Sequence, residues 1–354
     1  METSIPDLAG RLTAALAETP SRIPVLVGPC GSGRTTALRG LAAALGPQAA
    51  QYADLERITS TPERFLAALT RESPFRWALA PGPVGPAAAQ ARAVRYFSQA
   101  TAADGSAATF LIDEVLELAT FDHFPGLRGV VGASLAAFAR SSNRFVLASK
   151  FTTRTLSALR EAPDRFLVVQ MPPVSMGAVA ADLMQAGLRS DAAEEAARVI
   201  VPLADGRAAY CAALVRALQD PGQRVHDPIA ALAALMAPSG DIAVRCRYSY
   251  EIRLHRARGY GALKGALDIL ANEEPLNLTE IALDMGRTPG STKDYLGWLE
   301  NVDLVEVHRK RYTISDPMLR LWIRLYSGCD RPAEARIAEE VQRYTLRRLS
   351  APPA

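Results

Sequence analysis

Residues 28 to 36 have the types and spacing of a loop that could bind a chain of phosphates. They fit the pattern G-x-x-x-x-G-K-S/T except that arginine stands at the lysine position. The glycines let successive backbone N–H groups point at an anion, and a hydroxyl at the last position could ligate Mg²⁺. The loop therefore predicts a nucleotide site whose residues are Gly28, Pro29, Cys30, Gly31, Ser32, Gly33, Arg34, Thr35 and Thr36, with Thr35 on the metal.

The arginine at position 34 should affect nucleotide hydrolysis more than nucleotide binding. A lysine reaches the β- and γ-phosphates as a compact point charge, whereas a guanidinium is a wide planar fork. The backbone contacts and Thr35 do not need the lysine, so we expect ATP or ADP to bind while hydrolysis is weak or absent. Whether the chain is an ATPase stays open, as does a glycine-rich turn without a ligand. Arginine is also the chain's usual cation, with only four lysines among forty basic residues.

Two adjacent acids follow a second apolar segment, Thr109–Ile112. A carboxylate at the carboxyl end of a buried strand near a phosphate loop can hold Mg²⁺, and the next acid can deprotonate the attacking water. We assign Asp113 to the metal and Glu114 to the general base. The alternative is a strand that simply ends in two surface acids.

Three further residues could sense the phosphates. Ser149 and Arg154 follow another predicted strand, and Arg207 begins a helix after Asp205-Gly206. In a parallel sheet the carboxyl ends of the strands meet at one edge, where ligands bind. Each of these residues could instead be a plain surface residue or a helix cap.

The elements that must position these residues alternate along the first half of the chain. Predicted strands at 23–27, 52–55, 108–112, 144–148 and 166–170 are separated by predicted helices. This order favours a parallel sheet covered on both faces. The predicted fold class is α/β, a P-loop NTPase αβα sandwich followed by a helical lid and a winged helix-turn-helix domain. The predicted domains are a core at 1–174, a lid at 175–240, a winged helix at 241–326, and a C-terminal helix and tail at 327–354.

The lid is predicted from the absence of strand patterns between 175 and 236, where helices are expected to break at Pro202 and Pro221. A linker containing Pro238, Ser239 and Gly240 should follow it.

The winged helix is predicted from three helical segments, starting near 261, 278 and 288, and two strands at 304–308 and 311–314. If it binds duplex DNA, the start of its third helix should enter the major groove and the wing should contact phosphates. The candidate DNA-binding residues are Ser291, Thr292 and Lys293 on the helix, and Arg309, Lys310 and Arg311 in the wing. Contact with a protein partner, or packing onto the ATPase unit, is the alternative.

Composition bounds the class of protein. The 354 residues carry a net charge of +3, and basic residues cluster at 245–258, which is compatible with nucleic acid but too weak to establish it. No apolar run reaches the roughly 18 residues of a membrane span, and no secretory signal is visible. The four cysteines are far apart in sequence, which fits a reducing cytoplasm.

The motifs together resemble one family. The phosphate loop, Leu111-Ile112-Asp113-Glu114, Pro172-Pro173-Val174-Ser175, and Asp316-Pro317-Met318-Leu319-Arg320-Leu321-Trp322 after the wing are similar to archaeal-type ATPases. These belong to the STAND branch of the AAA+-like P-loop NTPases, and the resemblance runs from about Ser21 to Tyr326.

The resemblance implies an ATP/ADP switch with Mg²⁺, in which core, lid and winged helix rearrange together. Two positions depart from the family: Arg34 replaces its lysine, and Ala208 replaces the proline of its Gly-x-Pro lid motif. Many relatives carry a nuclease-like domain after the winged helix, and we expect none here. Three functions stay open: a nucleotide switch, a DNA-binding regulator that uses the P-loop domain as a scaffold, and a subunit of a homo-oligomer or an interaction module for a protein partner.

Overall fold

The computed structural model describes residues 6–78, 82–160, 164–219, 227–255, 259–328 and 331–350. Contacts divide them into two compact units. The sheet unit holds the described residues up to Met171 except 29–32. The helical unit holds residues 29–32 and the described residues from Pro172 onward. No helix in the described ranges is both long and apolar enough to cross a membrane.

The sheet unit alternates helices and strands. In chain order its elements are α1 (Pro6–Ala17), β1 (Ile23–Val27), α2 (Arg34–Leu45), β2 (Ala50–Asp54), α3 (Leu55–Ile58), α4 (Pro62–Arg71), α5 (Pro86–Gln99), β3 (Thr109–Asp113), a 3-10 helix (Val115–His123), α6 (Val130–Arg140), β4 (Arg144–Ser149), α7 (Thr152–Leu159) and β5 (Phe166–Gln170).

Its five strands form one parallel sheet in the order β2-β3-β4-β1-β5. In this order β4 lies between β1 and β3, and Val27 pairs with Ser149 while Ile112 pairs with Leu147. The carboxyl ends of β1, β3 and β4 therefore lie side by side at one edge of the sheet. The phosphate loop leaves β1 and the two acids end β3 at this edge.

Apolar side chains cover both faces of the sheet. Alternate residues of β3 belong to different clusters: Phe110 and Ile112 pack with one, and Leu111 packs with the other. All five residues of β1 are buried. Because a strand buried on both faces reads as a continuous apolar run, the predicted αβα sandwich is confirmed.

The helical unit contains thirteen elements within the described residues. They are α8 (Met176–Gln185), α9 (Ser190–Leu203), α10 (Ala208–Leu218), α11 (Pro228–Leu235), α12 (Asp241–His255), α13 (Tyr260–Glu273), β6 (Leu276–Asn277), α14 (Leu278–Asp284), α15 (Pro289–Asn301), β7 (Val305–His308), β8 (Arg311–Ile314), α16 (Pro317–Tyr326) and α17 (Glu334–Ser350). The strands form a small antiparallel sheet in the order β6-β8-β7.

Local signals explain several of these boundaries. Ser175, Thr288 and Asp316 each accept a hydrogen bond from a backbone N–H in the first turn of the helix they precede. Proline follows Thr288 and Asp316 at the first helical position, where its missing N–H is not needed. Asn277 and Glu280 form a capping box at the start of α14.

The predicted helix break at Pro202 lies one residue before the end of α9 at Leu203, and the next helix, α10, begins at Ala208. The chain from Asp241 to His255 is one helix, α12, which was not predicted from the sequence. The predicted break at Pro221 and the end of the basic segment, 256–258, lie outside the described residues.

Candidate nucleotide-binding site

The phosphate loop runs from the end of β1 to the start of α2. Gly31 and Gly33 have φ angles of 82° and 93°, in the left-handed region that other residues rarely adopt. Gly33 is also the N-cap of α2 and has no side chain to cover the first turn. The N–H groups at the start of α2 can therefore bind an anion.

Arg34 is paired with the acid predicted to be the general base. Its Nη2 lies 3.3 Å from Oε1 of Glu114, and its Nη1 donates to the carbonyl of Gly28. Both side chains are buried, with Arg34 7% and Glu114 8% exposed. The other oxygen of Glu114, Oε2, accepts a hydrogen bond of 3.0 Å from the backbone N–H of Lys150. Both carboxylate oxygens of Glu114 are thus already engaged by the protein.

The protonation of Glu114 reflects two opposed effects. Burial raises the pKa of Glu114, while the charges of Arg34 and Lys150 lower it, and burial prevails. Glu114 also has a φ of 56°, so the backbone is held in a left-handed conformation at this position. Strained backbone positions of this kind cluster at active and ligand-binding sites. The conformation of Glu114 is therefore consistent with a role in ligand binding or catalysis.

Lys150 is a site residue that sequence reasoning missed. Its Nζ lies 2.9 Å from Glu56 and 3.8 Å from Glu117. Burial alone would lower the pKa of Lys150, but Glu114, Glu56 and Glu117 together hold it above its ordinary value. The signal that could have indicated it is its rarity: it is one of only four lysines, and it directly follows β4.

Asp113, predicted to be a magnesium ligand, has one carboxylate oxygen hydrogen-bonded and one without a partner in the described ranges. The hydroxyl of Thr35 donates to Oδ2 of Asp113 at 2.6 Å, so the two predicted metal ligands are in contact. Tyr52, on β2, donates to the same oxygen at 2.9 Å. Oδ1 of Asp113 is buried and has no hydrogen-bond partner among the described residues. A buried carboxylate oxygen without a donor fits a hard cation such as Mg²⁺.

Tyr52 was not predicted as a site residue. Burial raises the pKa of the Tyr52 hydroxyl, and the adjacent Asp113 carboxylate raises it further, so the hydroxyl remains a donor at neutral pH. The sheet register explains the contact, since Tyr52 and Asp113 lie on neighbouring strands, two residues apart in register. Such cross-strand pairing cannot be read from a single segment of sequence.

Ser149 and Arg154 flank Lys150 at the same edge of the sheet. Ser149 is fully buried, and its hydroxyl accepts a hydrogen bond of 3.2 Å from the backbone N–H of Phe151. Arg154 is exposed on the first turn of α7, with its guanidinium 5.1 Å from the centre of the Phe151 ring. The Ser149 hydroxyl helps shape the turn after β4, whereas the Arg154 guanidinium is solvent-accessible.

In the helical unit, Arg207 is held by an acid from the start of α16. Its Nη1 lies 2.8 Å from Oδ2 of Asp316, and its Nη2 donates to the carbonyl of Ser315 at 2.6 Å. The hydroxyl of Tyr210 donates to the same Asp316 oxygen at 2.9 Å. The hydrogen bond from Arg207 to the carbonyl of Cys30, a residue of the phosphate loop, is a long 3.5 Å. The charge of Arg207, predicted to sense nucleotide, is therefore balanced by Asp316 in this structure.

The loop residues that belong to the helical unit contact the start of α10. The N–H of Ala209 donates to the carbonyl of Gly31 at 2.9 Å. A side chain at Gly31 would come within 3.1 Å of the Cβ of Ala209. The close approach requires glycine at 31 and a small residue at 209, so the tip of the loop is fixed against α10.

The predicted DNA-binding residues of α15 differ in exposure. Thr292 is fully buried, so the expectation that it lies on an exposed groove-facing surface was wrong. Its side chain faces inward together with Leu296 and Leu299, at the spacing of one helix face. Ser291 donates from its hydroxyl to the carbonyl of Thr288 at 3.1 Å, within the cap of α15. Lys293 is exposed.

The turn between β7 and β8 carries the predicted phosphate contacts. Arg309 and Lys310 are exposed and have φ angles of 50° and 66°. Arg311 is held by the protein, donating to the carbonyl of Pro275 at 2.9 Å and lying 3.6 Å from Glu280. Of the three cations in and beside this turn, Arg309 and Lys310 are therefore exposed, whereas Arg311 is held by a hydrogen bond within the protein.

The fold is similar to that of solved P-loop ATPases. A Walker-type ATPase of Pyrococcus abyssi matches 90% of this chain and 95% of its own, with a TM-score of 0.60 and 14% identity. A RuvB variant of Thermotoga maritima matches 87% and 92% of the two chains at a TM-score of 0.45 and 14% identity. AMPPCP-bound DnaA from Aquifex aeolicus matches 84% and 88% at a TM-score of 0.38 and 12% identity. Only the first of the three matches has a TM-score above 0.5. At 14% identity it shows a similar fold and nothing more.

No protein-family model and no curated protein matches the sequence.

Proposed function

We propose that this chain is an ATP- and ADP-binding switch in which hydrolysis is weak or absent. The observation that carries the proposal is the buried 3.3 Å ion pair between Arg34 and Glu114, within a loop whose other phosphate-binding features are intact. The Walker-type fold supports nucleotide binding at the same edge of the sheet.

Nucleotide binding rests on groups that do not involve the pair. The turn formed by Gly31 and Gly33 and the start of α2 can present backbone N–H groups to phosphates. Thr35 and Asp113 would hold Mg²⁺, which would neutralise negative charge on the phosphates. We expect these contributions to support binding of both ATP and ADP.

Hydrolysis is opposed by the ion pair in two ways. First, the Arg34 guanidinium is directed at Glu114 and the carbonyl of Gly28, so its charge is shared with groups of the protein rather than reserved for the β- and γ-phosphates. Second, a base must lie within hydrogen-bond reach of the water it activates. The two oxygens of Glu114 are occupied by Arg34 and by the N–H of Lys150. The raised pKa of Glu114 would favour proton acceptance, but water can approach only if Arg34 moves.

The test is a calorimetric titration with ATP and with ADP, with and without Mg²⁺, combined with a phosphate-release assay. The wild type should bind both nucleotides and release phosphate no faster than the background reaction. Arg64→Lys is a matched control, because Arg64 is an exposed arginine on α4. Binding of neither nucleotide, or turnover at the rate of an ordinary ATPase (about 10 s⁻¹ is typical of enzymes), would refute the proposal.

A second candidate function, DNA binding, is favoured by the turn between β7 and β8. The elements α13, β6, α14, α15, β7 and β8 follow the order expected of a winged helix. Two adjacent positive φ angles in a two-residue turn suit asparagine and glycine, yet Arg309 and Lys310 occupy them and are exposed. Retaining two cations at strained positions is consistent with contact to DNA phosphates. Duplex DNA affinity that falls steeply with salt would support this candidate.

A further inference from the structure

A cluster of arginines surrounds a cavity in the helical unit, within residues 274–348 and separate from the phosphate loop. The cavity has a volume of about 230 Å³ and lies between α16 and α17. Its walls include five arginines and two acids, Glu274 and Glu340. The arginines are Arg320, Arg324, Arg343, Arg347 and Arg348.

The acids at the cavity do not balance these arginines. Glu340 is shared by Arg324, whose Nε and Nη2 lie 2.8 and 3.0 Å from its two oxygens, and by Arg343. Burial raises the pKa of Glu274, which lies 3.1 Å from Arg320. Arg347 is exposed and forms no ion pair with any residue that the structure describes. Two acids outside the cavity complete the balance for the other arginines, since Arg343 also lies 2.7 Å from Glu339 and Arg348 lies 2.5 Å from Asp205. The surplus positive charge of the wall is therefore that of Arg347.

Arg320 has a buried guanidinium nitrogen whose hydrogen-bonding capacity is unused in the described part of the chain. Its Nε donates to the carbonyl of Ala271 at 3.0 Å and lies beside Glu274, but its Nη2 is buried and has no hydrogen-bond partner in the described part of the chain. A buried donor without a partner costs free energy, so native structures rarely retain one. Burial lowers the pKa of Arg320 and the Glu274 carboxylate raises it, while the charges of Arg347 and Arg324 lower it, so that the pKa stays below its ordinary value. An anion in the cavity would accept a hydrogen bond from Nη2 and offset the repulsion among the three arginines.

We propose that this cavity binds a compact phosphate-bearing anion, of the size of inorganic phosphate or pyrophosphate. Planar guanidinium groups match the oxygens of a phosphate with paired, charge-assisted hydrogen bonds. A volume of about 230 Å³ corresponds to roughly eight water molecules at about 30 Å³ each, which suits such an anion. Arg320 of α16 and Arg347 of α17 would both contact it, so the anion would tie these two helices together.

The test uses pyrophosphate as the probe, titrated calorimetrically into the full chain at constant ionic strength. Arg320→Gln and Arg347→Gln should each weaken binding by about tenfold, the usual effect of losing one charged hydrogen bond. Arg347→Gln alters an exposed residue and should fold normally. If Arg320→Gln is unstable, the effect of Arg347→Gln on pyrophosphate affinity still tests the proposal. Arg189→Gln is the matched control, because Arg189 is an exposed arginine far from the cavity in sequence, with 84% of its side chain accessible, and should bind like the wild type.

Pyrophosphate could also enter the phosphate loop, so the titration is repeated with Thr35→Ala. The cavity component should be unchanged by Thr35→Ala and weakened by about tenfold in each of the two cavity variants. The proposal is overturned if the wild type binds no pyrophosphate, if Arg320→Gln and Arg347→Gln leave binding unchanged, or if Thr35→Ala removes all of it. It is also overturned if the cavity arginines affect the affinity for duplex DNA alone.

Discussion

The guanidinium of Arg34 and the carboxylate of Glu114 lie 3.3 Å apart, although the two residues are 80 positions apart in the sequence, and both are buried. The first occupies the position of the lysine that would contact phosphates. The second is the residue predicted to be the base that activates water. Because the two side chains contact each other, a mutation of either one is expected to affect both predicted roles.

Arg34→Lys should increase both nucleotide affinity and phosphate release, each by about tenfold, which corresponds to one additional charge-assisted hydrogen bond to the phosphates. A lysine ammonium is a compact charge that can reach the β- and γ-phosphates and leave Glu114 free to bind water. Phosphate release and calorimetry measure the two effects, with Arg64→Lys as the control. An affinity and rate unchanged from the wild type would show that Arg34 is not what limits the site.

Glu114→Gln should change how stability depends on pH. Because the folded pKa of Glu114 is raised, the folded state binds its proton more tightly than the unfolded state does. Its contribution to stability is present below the unfolded value of about 4.3 and is lost as pH rises through the folded pKa. Denaturant unfolding measured in steps from pH 4 upward should show a smaller loss of stability in Glu114→Gln than in the wild type. Glu63→Gln, at an exposed position on α4, should follow the wild-type curve.

Asp113→Asn should weaken ATP binding in Mg²⁺ by about tenfold and have little effect in EDTA, because an amide is a poorer ligand than a carboxylate for a hard cation. The hydrogen bonds from Thr35 and Tyr52 can be kept by the amide oxygen, so the fold should tolerate the change. Calorimetry in the two buffers measures the difference, with Asp164→Asn as an exposed control. Equal losses in Mg²⁺ and EDTA would argue against a metal role for Asp113.

Removing one charge of the Arg207–Asp316 pair should destabilise the helical unit more than removing both charges. Asp316→Asn keeps the cap of α16, since asparagine is also a good N-cap, but it leaves the buried Arg207 with only the longer 3.6 Å contact to Asp205. We expect the free energy of unfolding to fall by about 3 kcal/mol. Adding Arg207→Met should restore a large part of it. A double-mutant cycle by urea unfolding measures the coupling, and additive losses would show that the two charges do not stabilise each other.

Arg309→Asn combined with Lys310→Gly should stabilise the protein while weakening any DNA binding. Both positions have positive φ, which costs most residues about 1–2 kcal/mol and glycine almost nothing. The variant should therefore unfold with a free energy higher by about 1 kcal/mol. Its duplex affinity should fall, with a shallower dependence on salt. Unchanged duplex affinity would exclude this turn from the DNA interface.

Sequence reasoning predicted the features that depend on short segments. The glycine loop, the apolar strand before Asp113 and the alternation of strands and helices are local patterns, and the contact between Thr35 and Asp113 followed from the shared edge of a parallel sheet. Helix α12 was not predicted although its buried residues Ile242, Cys246 and Tyr250 recur every four positions, because its arginines were considered only as a cluster of charge.

The contacts of individual side chains could not be predicted from short segments of sequence. Lys150 and Tyr52 enter the site through strand pairing and packing, which depend on the whole sheet. Thr292 was placed on the wrong face of α15, since a short helix of mixed polarity does not define its buried side. The pairing of Arg34 with Glu114 likewise requires the tertiary fold, because each residue alone suggested contact with nucleotide or water.

The most direct test of nucleotide binding without turnover is the identity of the nucleotide retained by the protein. The full chain is incubated with radiolabelled ATP and Mg²⁺, separated from free nucleotide, denatured, and its bound label resolved by thin-layer chromatography. We predict retained label that is recovered mainly as intact ATP. Absence of retained label, or recovery as ADP with phosphate released over repeated cycles, would contradict the proposed function.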